Sequence, residues 1–389
     1  MTVIINKPGF NLRETLTSLK RKIGIKGAEL MAAETVSDVY TSLNPVMFRN
    51  RVHNGDMRID QRNNGAAISS NAVGDQWPVD RFDLYISTAN ILSMQQNQGS
   101  FTPPPGFKNY VGFTTLAIGS GSAVPNHLIE GLNVADLDWG LATAKTCTLS
   151  FWVRSSVPGT HGGFITNQPL NRYYVYKYSI NQANTWEYKT VTVPGDTTGT
   201  WNKDNTRGIC IFFSFRGTSN HSTFNQWYAP GATTLGVSGC VDITQTVGAT
   251  WCVTGLQFEQ GTVATPFEHR PYGTELALCQ RYFVKIGGES SISAAGSGVT
   301  TGTNSGWGVV KYPVTMRVAP TTTLNGTGIT LSNGSAFPTS PTLGTVYANR
   351  DAAMISLTYS GAPYSGAGQG TTLYFQNAAN DSMSFSSEL

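Results

Sequence analysis

The chain is short of charge. Asp, Glu, Lys and Arg make up 13% of its 389 residues, against about 25% in an ordinary soluble protein. Glu and Lys are scarce after residue 50, so exposed helical faces have little to be built from. Surface polarity has to come from hydroxyl and amide side chains, which favours an all-β protein with many turns. The formal net charge is only +3. Basic runs are confined to the N-terminal segment, and no interleaved aromatic motif of the single-strand-binding kind is present, so a nucleic-acid partner is not expected.

Other things are missing too. The five cysteines, Cys147, Cys210, Cys240, Cys252 and Cys279, form no CxxC pair and are odd in number. A zinc site is therefore not expected, and buried free thiols are. Met1 to Phe10 lacks the apolar core of a signal peptide, with Pro8 and Gly9 interrupting it. No apolar run approaches the ~20 residues of a membrane helix, so the expectation is a soluble chain made in a cytoplasm, without membrane insertion. The histidines His53, His127, His161, His221 and His269 are scattered, and Glu130, Asp136, Asp138, Glu187 and Asp242 show no spacing that marks a catalytic pair. There is no Gly-x-Ser-x-Gly elbow, no phosphate loop and no β-helix repeat. No enzyme, no cofactor and no metal is expected. Asn202, Asp204 and Asn205 offer hard oxygens for calcium, but these residue types equally suit a turn.

What is abundant is turn chemistry and alternation. Glycine numbers 42. Residues 1–50 differ from the rest: Asn11 and Glu14 have capping-box spacing, and Leu12, Leu16, Leu19 and Ile23 follow at 4, 3, 4 spacing. That is a heptad seam about two heptads long, too short to be stable alone. It can bury itself by trimerising or by docking on a larger particle. A second helical run over 28–43 carries Leu30, Ala33, Val36 and Tyr40 before Asn44-Pro45 stops it.

Residues 51–272 read as one β-sandwich. Strands are expected at Met57–Asp60, Val79–Tyr85, Tyr110–Ile118, Arg172–Ile180, Thr185–Val193 and Gly208–Phe215, with 124–144 less regular. Cys147–Ser155 alternates most cleanly: Cys147, Leu149, Phe151 and Val153 share one face, and Ser150, Trp152 and Arg154 the other. Trp251–Gln260 reads as the closing strand, and Gly273 opens a helix with Leu276, Cys279 and Phe283 on one face. Residues 273–389 then form that helix and a second β unit. Its strands are expected at Val309–Val318, Thr321–Leu324, Ala353–Tyr359 and Thr371–Gln376, with Ile292–Ser305 as a flexible Gly/Ser-rich loop.

Two groups of residues resemble a known family. Gly261-Thr-Val-Ala-Thr-Pro-Phe-Glu268 and Arg270-Pro-Tyr-Gly-Thr-Glu-Leu-Ala-Leu-Cys-Gln-Arg-Tyr282 are similar to segments of tail-fibre and other virion structural proteins of tailed bacteriophages. Asn54-Gly-Asp56 followed by Asp80-Arg-Phe82 resembles carbohydrate-binding-module-like jelly rolls in such fibres, with Asp60 where a Trp is usual. Gly27-Ala-Glu-Leu-Met-Ala-Ala-Glu-Thr35, Tyr312-Pro-Val-Thr-Met-Arg-Val-Ala-Pro-Thr321 and Phe385-Ser-Ser-Glu-Leu389 resemble other parts of the same proteins; the resemblance spans about half of the chain. It implies an all-β virion protein with an N-terminal helical anchor, a central jelly roll and a distal β domain. It implies homotrimerisation through Leu12, Leu16, Leu19 and Ile23, attachment to other virion proteins through residues 1–50, and contact with host surface polysaccharide. Glycan contact needs aromatic platforms, for which Trp152, Trp201, Trp227 and Tyr228 are the candidates. A capsid or tail decoration protein without a receptor, or a glycan-degrading tail enzyme, is the alternative.

Overall fold

The structure is a computed structural model. It describes residues 48–389 except 71, 89–90, 120, 217–220, 222, 230–234, 289–292, 336 and 377–380. The expected N-terminal helices and the seam residues Leu12, Leu16, Leu19 and Ile23 lie outside the described residues. Asn50–Leu389 forms one compact unit.

The fold is all-β. In chain order the first thirteen strands are β1 (Ile68–Ser69), β2 (Gly74–Val79), β3 (Phe82–Ile86), β4 (Leu92–Gln96), β5 (Val111–Thr115), β6 (Ala123–Glu130), β7 (Cys147–Ser155), β8 (Gly159–Thr166), β9 (Tyr173–Ile180), β10 (Glu187–Val193), β11 (Arg207–Ser214), β12 (Trp227–Tyr228) and β13 (Thr250–Gln260). They form two antiparallel sheets, ordered β1-β4-β5-β13-β7-β10 and β12-β9-β8-β11-β6-β3-β2. Alternation places Leu149, Phe151, Val153, Trp251, Val253 and Phe258 of the first sheet in one core with Leu84, Tyr176, Ile211 and Phe213 of the second. Phe151 meets Phe213 edge-on at 5.1 Å, and Trp251 lies 5.2 Å from Phe213. All five cysteines are buried free thiols; burial above all pushes Cys147 and Cys210 up to about 12.

A helix, α1 (Tyr272–Gln280), leads into β14 (Phe283–Gly287), β15 (Ser293–Thr300), β16 (Ser305–Lys311), β17 (Thr321–Asn325), β18 (Ile329–Ser332), β19 (Thr342–Ala348), β20 (Ala352–Thr358), β21 (Gly370–Phe375) and β22 (Ser382–Ser386). These make a three-stranded sheet, β14-β22-β17, and a six-stranded sheet, β18-β21-β15-β16-β20-β19. They share a core of Val310, Met316, Ile355, Leu357, Leu373, Phe375, Met383 and Phe385. No helix among the described residues is long and apolar enough to cross a membrane.

Several elements differ from the sequence reading. Met57–Asp60 is irregular chain, because the Asn54 side chain accepts from Ile59 N (2.9 Å) and donates to Ile59 O (2.8 Å), occupying the groups a strand would pair. Val79–Tyr85 is strand only from Phe82, where β3 begins; Val79 ends β2, and Asp80 and Arg81 form the hairpin tip, with Arg81 left-handed at φ 66°. Residues 123–130, read as irregular, are a strand buried along its whole length. Gly159–Thr166 is a strand that the reading did not name. Ser293–Thr300 is a strand between β21 and β16 rather than a flexible loop. In α1 the buried residues are Glu275 and Cys279, while Leu276 is half-buried and Phe283 already belongs to β14.

The resemblance-bearing residues meet in one polar knot. Asn54 Nδ2 donates to Asp80 O at 2.7 Å, and Asn54 N donates to the buried Glu275 carboxylate. Arg270 Nη1 donates to Val52 O (3.2 Å) and to Glu275 Oε2 (3.3 Å). The Arg81 guanidinium, 1% exposed, donates to Leu128 O, pairs with Glu388 and stacks 3.7 Å from the Tyr282 ring centroid. Arg281 Nε and Tyr282 Oη both donate to Glu130 Oε2, at 2.8 and 2.6 Å. These residues fasten the first two sheets to α1 and to the chain's end. They are scaffold, and the site lies elsewhere.

Candidate functional site

On β7 the residues opposite the core set are Thr148, Ser150, Trp152 and Arg154, so this row forms the outer face of the first sheet. Tyr188 on β10 pairs directly with Trp152, and their rings lie 5.4 Å apart at 49°. Tyr188 is 43% exposed. Cross-strand neighbours on one face sit close enough for aromatic contact, so this pair is dictated by register.

Two walls rise beside the pair. One is the loop carrying Pro105 and Phe107; the other is the 264–269 segment with Thr265, Phe267 and His269. Phe107 meets Phe267 edge-on at 5.1 Å and His269 at 5.5 Å. Between the walls lies a cleft of about 480 Å³ with Ser150, Trp152 and Tyr188 along it. Among the described residues no Asp, Glu, Lys or Arg lines it.

Each wall is held by named bonds. Trp186 Nε1 donates to Thr102 O (2.9 Å), and the Arg154 guanidinium stacks 3.6 Å from the Phe101 centroid, tying the first loop down. Glu259, buried on β13, accepts from Thr265 N at 2.8 Å and from Thr265 Oγ1 at 2.7 Å. Gln257 Oε1 accepts from Glu268 N at 2.9 Å. Between Thr254 and Gln257 the β13 ladder slips by a bulge. Gly255 sits there at φ +63°, and a Cβ on it would stand 2.7 Å from Phe107 Cζ and 3.2 Å from Trp152 Cδ1. Bulges re-aim side chains beside sites; this one lets two aromatic rings close over bare backbone.

The four aromatic candidates do not converge on one site: Trp201 and Trp227 meet each other away from the cleft, and of the four only Trp152 reaches it. Trp201 is 8% exposed, edge-on to Trp139 at 4.8 Å and to Trp227 at 5.3 Å, with its Nε1 donating to Thr198 O. It packs at the end of the core and offers no platform. Trp227 is half-buried against Tyr174 and donates to Pro194 O at 2.6 Å. Tyr228 lies on β12 of the other sheet, its hydroxyl bonded to His221. The sequence reading missed Tyr188, Phe107, Phe267 and His269. Tyr188 was findable, since Glu187–Val193 alternates; nothing local marks Phe107.

The polar groups suspected of chemistry have structural duties. Asp204 Oδ1 accepts from Thr206 N at 3.0 Å, and Asn202 Nδ2 donates to Thr206 Oγ1, which is a capped turn and not a cation cage. Among the described residues no three His, Cys, Asp or Glu side chains gather as a metal set. Glu130 is held by Arg281, Asp136 by Arg51 (2.7 Å), and Asp242 caps the turn at Thr244. His53 and His127 are buried beside Arg81 and Arg270; burial first, then these cations, hold both rings neutral, well below the ordinary range.

No protein-family model matches the chain, and no curated protein does. Among solved structures, the enzymatically active domain of tailspike protein 4 from bacteriophage CBA120 is similar over 55% of this chain at 10% identity and a TM-score of 0.32. This chain spans only 22% of that tailspike chain. A family 4 carbohydrate-binding module covers 54% of this chain and 99% of its own, at 16% identity and a TM-score of 0.28. The family 11 carbohydrate-binding module of Clostridium thermocellum, in complex with a β-1,3-1,4-mixed-linked tetrasaccharide, covers 51% and 99%, at 15% identity and a TM-score of 0.26. Likeness at this level carries no function across.

Proposed function

We propose that this chain is a non-enzymatic glycan-contacting subunit of a tailed-phage fibre. In this reading it forms a homotrimer held on the virion by its N-terminal segment. The cleft on the first sheet is the observation that supports the glycan part. Its Trp152–Tyr188 pair offers two apolar ring faces, as the C–H faces of a sugar ring require, and Ser150 and Thr265 are polar side chains along the same cleft. The lack of any charged lining side chain suits a neutral saccharide. The virion part is supported by the resemblance of the Arg270–Tyr282 and Asn54–Phe82 segments.

The test is a glycan array with the full chain, followed by titration of its best ligand against wild type and Trp152→Ala. Binding that disappears with Trp152 supports the reading. Release of reducing ends from a bound polysaccharide, abolished by one carboxylate change, would replace it with the tail-enzyme alternative. Absence of any glycan binding would leave a decoration protein without a receptor as the better account.

A further inference from the structure

A second pocket lies on the opposite face of the sandwich, against the second sheet. Register sets Asp83 on β3 beside Asn126 on β6, and Asn126 beside Phe212 on β11, in one row. With Asp75, Tyr85 and Arg207 these residues line a cavity of about 310 Å³, much of it apolar. Asp83 is 1% exposed and Asn126 2%. Neither carboxyl oxygen of Asp83, nor the Asn126 amide oxygen, meets an N–H or O–H donor among the described residues. Three buried acceptors without a donor are a substantial cost in a folded protein.

The charges around them are few. Asp75, at the exposed rim, is in hydrogen-bond contact with Asp83, and Glu388 adds negative potential from the chain's end, where it is paired with Arg62 and Arg81. Arg207 opposes them, but its Nη2 donates to Leu389 O at 2.7 Å. Burial first, and then Asp75, hold the Asp83 carboxyl protonated well above the ordinary range. Two carboxyls in contact keep one proton between them.

These features select a ligand. A primary ammonium brings three N–H donors and no acceptor, matching Asn126 Oδ1 and the two Asp83 oxygens once the proton shared with Asp75 has left. Once that shared proton leaves, Asp83, Asp75 and Arg207 together carry a single negative charge, which one ammonium balances and a divalent cation overshoots. The Tyr85 and Phe212 rings give an apolar body something to lie against. We propose that this pocket takes a primary ammonium group carried on a small, partly apolar body, seated among Asp83, Asp75 and Asn126. Entry turns the Asp75 side chain aside. The proton held between the two carboxyls leaves to solvent as the ammonium arrives, so one positive charge replaces another and no bond in the ligand changes. The pocket is separate from the Trp152 cleft, and its ligand does not depend on the glycan reading there.

The test is isothermal titration of the full chain at neutral pH with glucosamine, N-acetylglucosamine, glucose and cyclohexylamine, each in phosphate and in HEPES, and with calcium chloride in HEPES. The expected result is binding of the free amines only, with heats that differ between the buffers as release of about one proton requires. Glucosamine and cyclohexylamine binding alike makes the ammonium sufficient; glucosamine binding alone makes the ligand an amino sugar. Asp83→Asn, which keeps the side-chain shape and removes the buried acid, should weaken binding at least tenfold while its thermal melt stays cooperative, and Trp152→Ala should leave binding unchanged. Any of four results overturns the proposal. These are N-acetylglucosamine or glucose binding as tightly as glucosamine, calcium binding in place of the amines, no amine binding, or amine binding that survives Asp83→Asn with no buffer-dependent heat.

Discussion

Asp83 and Trp152 make opposite demands on the fold. Asp83 is a buried acid whose folded pKa is raised, so the folded state holds its proton more tightly than the unfolded chain does. Its contribution is fully present below the unfolded value near 4 and is lost as pH rises towards the folded value. Asp83→Asn should therefore match wild type at about pH 4 and exceed it increasingly towards pH 8. A series of thermal melts across that range reads the difference directly, and a constant offset would mean that the acid is not what matters. Trp152 is half-buried on an outer face, away from the core. Trp152→Ala should keep the fold, with Tm lowered by a few degrees, while glycan binding falls at least tenfold, about 1.4 kcal/mol. Trp152 was legible because strict alternation in β7 fixes which side it faces. Trp201 was not, because a tryptophan's neighbours, here Trp139 and Trp227, come from distant segments that no local pattern reveals.

At the scale of elements, the bulge in β13 controls the cleft. Gly255→Ala adds a methyl group 2.7 Å from Phe107 at a left-handed residue. The backbone conformation alone costs about 1–2 kcal/mol for a residue with a Cβ, and Phe107 and Trp152 must both move. The expected outcome is a modest loss of stability with a disproportionate loss of glycan affinity; unchanged affinity in a folded variant would remove the cleft from the glycan account. Strands β7, β9, β10, β11 and β13 could be read from the chain because each has a strong apolar alternation or a full apolar run. Strand β6 hid because it is buried on both faces yet spelled Ala-Val-Pro-Asn-His-Leu-Ile-Glu, with Asn126, His127 and Glu130 taking interior duties. Strand β15 hid because Ser, Ala and Gly dominate it: Gly296 and Gly298 lie 2.0 and 2.1 Å, at the Cβ position, from carbonyl oxygens of β16. Composition reads such a stretch as a linker, where close strand packing in fact demands the missing side chains.

For the whole molecule, the connection between the first two sheets and the chain's end is a set of polar links, among them Arg62 and Arg81 to Glu388, Arg317 to Asn205, and Arg281 and Tyr282 to Glu130. Glu130 is 1% exposed and accepts from Arg281 and Tyr282. Removing one partner of a buried pair costs about 3–5 kcal/mol; Glu130→Gln should fall at the lower end of that range, because Arg281 keeps 22% side-chain exposure and water can take up its charge. Denaturant unfolding measures the loss, and less than about 1 kcal/mol would mean the connection is held elsewhere. The assembly itself is tested by mass. The Asn50 side chain donates to Leu256 O (3.1 Å) and accepts from Phe258 N (3.0 Å), and Arg51 N donates to Phe258 O. A truncation at Val52 would strip these bonds from β13 and confuse unfolding with dissociation, so the informative shortened chain is 48–389. Measured by light scattering, the full chain should be trimeric. If 48–389 is a monomer, the seam at Leu12, Leu16, Leu19 and Ile23 holds the trimer, since a seam of about two heptads is stable only when several chains bury it together. If 48–389 is also trimeric, the β sheets hold the assembly and the N-terminal segment is free to bind the virion. Two monomers would remove the physical ground for a fibre and leave an isolated binding module.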